Sequence, residues 1–342
     1  MQENLQETMQ EATVDIVETA KKDFSKLGLM FLAGTAVIYA AQLLVGLIAK
    51  QVNPAWLEDP TINLILSIIP LYLVGMPALI FLVKKIPGTA PQKRSMKVGA
   101  FFIAMLMCYS VMYISNLVGV MITTIVGLLK GSAVNNAILD IATSANMVVT
   151  FIFMVICAPI MEEYIFRKLI VDRTRKYGQG VAIVLSGVMF GLFHGNLSQF
   201  VYAATLGMFF AFIYVKTGKL KITIAMHMII NFMGGIISTL VLKLIKYDEL
   251  LEISASGDVA GMTNFVMENI MGWMVYLVYI CLILAAVLAG IILFIVFRKR
   301  FVLEKGEVEL PKGQRFAAMF LNFGMLVYSV FWLVMIVIQL FQ

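Results

Sequence analysis

Charge is scarce in this chain of 342 residues: Asp, Glu, Lys and Arg together make up 13%, against 61% hydrophobic residues. A soluble domain carries roughly 25% charged residues, so the composition excludes one and predicts a polytopic membrane protein. A mean hydropathy of +0.94 agrees. The three cysteines, Cys108, Cys157 and Cys281, each fall in an apolar stretch without CxxC spacing, which excludes a disulfide framework and reads as small hydrophobic side chains. The first two dozen residues lack the short apolar core and small-residue cleavage site of a secretory signal, so the first span is expected to insert uncleaved. No internal repeat suggests a transporter built from two halves. The helical zinc signature HExxH is also missing. Nucleic acid is not an expected partner; membrane lipids are.

About nine stretches are long enough for the roughly 20 apolar residues a helical span needs. They begin near Leu27, Ile62, Val98, Ala145, Gly180, Gln199, Ile222, Met271 and Phe316. The expected fold is all-α, a bundle of about 8–9 transmembrane helices. Basic residues cluster before the first stretch (Lys21, Lys22, Lys26) and after the second (Lys84, Lys85, Lys93, Arg94, Lys97). Further clusters follow the fourth (Lys168, Arg173, Arg175, Lys176), the sixth (Lys216, Lys219, Lys221) and the eighth (Arg298, Lys299, Arg300). The loop holding Asp248, Glu249, Glu252, Asp258 and Glu268 is acidic. Because cytoplasmic loops collect Lys and Arg, the alternation predicts a cytoplasmic N-terminus and, for nine passes, an external C-terminus. The chain divides into a polar segment 1–25, N-terminal membrane helices 26–144, a motif-bearing core 145–240 and a C-terminal part 241–342.

Within the core, the stretch "APIMEEYIFRKLI" (residues 158–170) places two acids and an arginine beside an apolar run. Each charge near a bilayer centre costs roughly 2.5–3.5 kcal/mol, so their presence needs a reason. On a helix Glu163 and Arg167 form an i,i+4 pair with the acid N-terminal, the better orientation, while Glu162 points elsewhere. Pro159 is expected to loosen the helix just before them. The chain has only two histidines, both in apolar segments. His194 stands four residues after Phe190, beside a stripe of Gly187, Gly191 and Gly195 that would admit a second helix or an extended substrate backbone. His227 and Asn231, also four apart, share a helix face.

Buried polar groups in lipid must find partners, so Glu162, His194, His227 and Asn231 are expected to converge. A carboxylate beside an imidazole can hold and deprotonate a water, and an imidazole with an amide can donate to an oxyanion. That is the outline of a peptidase. A seryl or cysteinyl nucleophile is not evident by spacing.

The sequences "EEYIFR", "FGLFH" and "HMIIN", in that order, resemble the EExxxR, FxxxH and HxxxN motifs of the CPBP family, the type II CAAX prenyl proteases and the bacteriocin-processing or immunity (Abi) proteins. The resemblance spans roughly residues 145–235. It implies an intramembrane endopeptidase whose helices enclose a conical cavity open to the cytosol. It assigns Glu162 as general base, His194 as helper in holding the water, His227 and Asn231 as the oxyanion hole, and Glu163, Arg167 and Phe190 to support. A metal-free mechanism gives each polar residue one role; the alternative is a zinc metalloprotease with Glu162, His194 and His227 as ligands. A non-catalytic scaffold or immunity protein on the same fold is the rival from another class. A transporter fits poorly without repeats or a charged series along one helix. The expected substrate is a peptide or membrane-associated, prenylated or unprenylated protein, and the expected location a bacterial plasma membrane.

Overall fold

The computed structural model describes residues 2–132, 134 and 143–341, with side chains from residue 14 onward. Among the described residues every regular element is helical. Among these residues eight helices are long and apolar enough to cross a membrane. They are α1 (Gln2–Val52, apolar from Val14), α2 (Pro60–Lys84), α3 (Val98–Lys130), α4 (Met147–Tyr177), α6 (Leu197–Thr217), α7 (Leu220–Leu244), α8 (Ile270–Phe297) and α9 (Phe323–Leu340). The remaining expected span is the shorter α5, Gln179–Phe193.

At about 1.5 Å per residue, the 15 residues of α5 reach about 22 Å, short of a hydrocarbon core of about 30 Å. Its end is set by sequence. Gly195 adopts φ 64°, a left-handed turn that glycine takes without penalty, and Asn196 caps α6 by accepting from the Gln199 N–H at 2.8 Å. The Asn196 amide also donates to the His194 carbonyl at 3.1 Å. Such a turn at membrane depth is tolerable because it lies inside protein, where its polar groups find partners.

Indeed α5 is the centre of the bundle. Leu185, Ser186, Met189, Phe190, Gly191 and Leu192 are all buried, as expected of a helix that is apolar all round. By contrast α8, the most hydropathic span, buries almost none of its surface within the chain.

The glycine stripe serves helix packing, not an extended backbone. A Cβ on Gly187 would stand 2.6 Å from the Ala204 carbonyl, and one on Gly191 would stand 2.7 Å from the Phe200 carbonyl, both on α6. Small residues let two membrane helices close to van der Waals contact. Gly195 belongs to the turn and faces the Trp332 ring. Gly191→Val should force α5 and α6 apart and destabilise the bundle by about 1–3 kcal/mol, read as a lower melting temperature in detergent.

The basic clusters meet at one end of the bundle. Lys176 pairs with Asp23 at 2.6 Å, the Arg94 N–H donates to the Thr217 carbonyl at 2.8 Å, and Lys216 reaches Glu304 at 3.4 Å. At the opposite end Lys130 donates to the Leu340 carbonyl, so the last turn of α9 lies at the end away from Asp23 of α1.

Four segments among the described residues widen from α to π geometry: Leu71–Gly75, Phe151–Cys157, Glu163–Val171 and Phe232–Ile237. The first two end two residues before Pro77 and Pro159 respectively. A proline ring clashes with the carbonyl four residues back and lacks the N–H that would bond it, and a wider turn relieves the clash.

Candidate active site

The expected loosening at Pro159 takes a specific form. In the π register Ala158 donates to the Phe153 carbonyl, five residues back, so the next donor would serve Met154. That next residue is Pro159, which has no N–H. The Met154 carbonyl is therefore left over, and the Asn231 side-chain amide donates to it at 2.8 Å. One of the two amide hydrogens of Asn231 is thus occupied by α4, and the other has no partner among the described residues.

Just beyond Pro159 stand the two glutamates, with different surroundings. Glu163 is fully buried and forms the expected i,i+4 pair with the equally buried Arg167, Oε1 to Nη2 at 2.9 Å. The same Oε1 lies 3.0 Å from His227 Nδ1 on α7. The Arg167 guanidinium lies over the Phe190 ring at 4.3 Å and near Phe210 at 5.5 Å, cation–π contacts that offset part of its desolvation.

Glu162 is the accessible acid, with 19% of its side chain exposed. Its Oε2 lies 3.7 Å from His227 Nε2, too long for a direct hydrogen bond and within reach of a water bonded to both off the line joining them. His227 therefore stands between the two glutamates, one on each ring nitrogen.

His194 is the C-cap of α5, and its Nδ1 lies 2.8 Å from the Phe190 carbonyl, which leaves Nε2 as the outward nitrogen. Its ring meets the Phe190 ring edge to face at 4.7 Å, and the His227 ring meets the same phenyl at 6.0 Å. Phe190 is thus the apolar hub that Arg167 covers and both histidine rings meet at right angles.

The structure so gathers Glu162, Glu163, Arg167, Phe190 and His227 directly, attaches His194 through Phe190, and ties Asn231 to the helix that carries the glutamates. Two phenols were missed by reading motifs: Tyr72 on α2 and Tyr202 on α6 both lie within electrostatic reach of the Glu162 carboxylate. Isolated tyrosines on other spans carry no spacing signal that links them to a distant acid.

Among the described residues no three His, Cys, Asp or Glu side chains group as a metal ion would require. Glu163 engages His227 at Nδ1, so the nitrogen that faces Glu162, and that a metal ion would take, is Nε2.

Residues 144–233 match the family of type II CAAX prenyl endopeptidase Rce1-like proteins, a segment that holds all three motifs. The resemblance to the CPBP family holds. A Bacillus subtilis (strain 168) protein named "Putative membrane peptidase YdiL" is 31% identical over 109 residues, covering 31% of this chain and 43% of that protein. The chain thus spans under half the length of that curated relative. No solved structure matches the chain. The matched segment runs from just before α4 to two residues past Asn231, so it coincides with the part that carries the polar cluster.

Proposed function

We propose that the protein is an integral membrane endopeptidase that hydrolyses a peptide bond with water activated by Glu162. The observation that carries this reading is the unequal setting of the two adjacent acids: Glu163 is buried on Arg167 and His227, while Glu162 is partly exposed with an imidazole nitrogen 3.7 Å away. A general base has to meet water, and only the second setting allows it.

In the proposed step the water oxygen attacks the scissile carbonyl carbon as its proton passes to the Glu162 carboxylate. His194 Nε2 helps to hold that water. The oxyanion is met by His227 and by the second amide hydrogen of Asn231. Glu163 holds His227 by Nδ1, which turns Nε2 toward the Glu162 side, the side from which it would meet the oxyanion. When the C–N bond breaks, the proton on Glu162 passes to the leaving amine, which restores the base. The substrate class that fits is a peptide or membrane-associated protein segment entering from the basic end of the bundle through a cavity open on that side, in a bacterial plasma membrane with a cytoplasmic N-terminus. The chemistry needs no metal ion.

The test is turnover of a quenched-fluorescent peptide library that includes prenylated C-termini, by the purified protein with and without a chelator. Cleavage unaffected by the chelator supports the reading. Inhibition restored by zinc would replace it with a metal mechanism, and failure to cleave any member would favour a binding role.

Asn231 offers a second check, because its two hydrogens have separable tasks. Asn231→Ala should lower turnover by about 10²-fold, as for a lost oxyanion donor, and also destabilise the protein by leaving the Met154 carbonyl unpaired at about 1–3 kcal/mol. Adding Pro159→Ala restores a backbone N–H that can serve that carbonyl. The double variant should regain melting temperature while its rate stays low.

A further inference from the structure

At the basic end, away from the glutamates, a cavity of about 650 Å³ opens between α1, the end of α2 and the start of α9. Its main wall is one face of α1: Lys22, Ser25, Lys26, Leu29 and Ala33 recur at helical spacing and line it together. Leu82 of α2 and Phe323 of α9 close the other sides. Charge and apolarity are thus graded along the groove, with ammonium groups at its outer end and hydrocarbon further in.

Several cations of this end, Lys84, Lys85, Lys219 and Lys221 among them, form no ion pair among the described residues; what distinguishes the lysines of this groove is the apolar wall beside them. Lys176, Lys168, Lys216 and Lys305 each have an acidic partner, and at the rim of the groove Lys21 is held by Glu18 at 2.8 Å. Lys22 and Lys26 form no ion pair among the described residues, and both are exposed. One turn further in Leu29 is 40% exposed, and Phe323, beside Ser25, is 69% exposed, apolar surface that a membrane protein leaves open to lipid.

We propose that this groove is a binding site for an anionic phospholipid, with the headgroup phosphate on Lys22 and Lys26 and an acyl chain along Leu29, Ala33 and Phe323. Two unpaired lysines at the polar boundary of a span attract anionic lipid headgroups, and the apolar wall beneath them gives a chain a surface that a free anion would not use. Neither part of the argument depends on peptidase activity.

Native mass spectrometry of the full chain in detergent, with phosphatidylglycerol or phosphatidylcholine added, tests the site. The wild type should retain one phosphatidylglycerol roughly tenfold better than phosphatidylcholine, as two lysines at a headgroup layer favour the anionic lipid. The Lys22→Gln/Lys26→Gln variant should lose that preference while its melting temperature in lipid-free detergent is unchanged. Ala33→Trp, which fills the apolar part and leaves both lysines, should also lower retention. Equal retention of the two lipids by the wild type, or equal binding by the lysine variant, overturns the proposal. Displacement by millimolar inorganic phosphate with no effect of Ala33→Trp would make the groove a simple anion site. Displacement by an acidic peptide in place of lipid would make it a protein-docking surface, and either result overturns the lipid assignment.

Discussion

Glu162→Gln is expected to lower peptidase turnover by about 10²–10⁴-fold, the range a general base supplies, with little change in melting temperature. Glutamine keeps the length and planarity of the side chain and can still hydrogen-bond water, so it removes the base and little else. The prediction of intact folding comes from the local setting: Glu162 is partly exposed and has no ion pair shorter than the 3.7 Å approach to His227. Its neighbour behaves differently. Glu163→Gln alters a fully buried carboxylate that meets both Arg167 and His227, so it should lower stability as well as rate. Measuring rate and melting temperature for both variants separates the two acids. Full turnover by Glu162→Gln would sink its assignment as base. Loss of folding in that variant would move Glu162 into the scaffold.

The parts of this site that were legible in the sequence are those decided within one helix turn. The Glu163–Arg167 pair could be read from a spacing of four and forms as read. The nearness of Phe190 to His194 was legible for the same reason, although His194 ends its helix and does not lie within one. What joins different helices was legible only as an expectation that polar groups converge. At about 1.5 Å per residue, His227 counts about 9 Å in from Lys221 and Glu162 about 20 Å in from Lys176, yet His227 touches Glu163. The depth count assumed 1.5 Å per residue throughout, whereas Glu163–Val171 is a π segment, which winds more residues into each turn and advances less per residue. Pro159 signalled a loosened helix, but a proline alone does not say which carbonyl it orphans. That required the π register, and with it came the tie from Met154 to Asn231. The α5 span was counted correctly as apolar, while its short reach follows from the Gly195 turn and from being wrapped by protein on all sides.

Arg167→Met should be the most destabilising single substitution in the core, by about 3–5 kcal/mol, because it leaves the Glu163 carboxylate buried without its counter-charge. Both side chains of the pair are fully buried, so water cannot take over for the missing partner. The guanidinium also supplies the plate that covers Phe190 at 4.3 Å, and through Phe190 it bears on the placement of both histidines. Lysine is no substitute, since an ammonium lacks the planar face that stacks on that ring and the fork that meets a carboxylate. The double variant Glu163→Gln/Arg167→Met removes both charges and should recover most of the lost stability, because a neutral amide in an apolar pocket is far less costly than an unpaired carboxylate. It should not recover turnover: His227 would then lack the carboxylate on Nδ1 that orients its ring. Thermal melting read beside peptide cleavage for the single and double variants decides the point. If the double variant is no more stable than Arg167→Met alone, the pair is not energetically coupled and the guanidinium acts by packing. If it regains full activity, His227 works without Glu163, and the chain of support from Arg167 to the oxyanion is wrong.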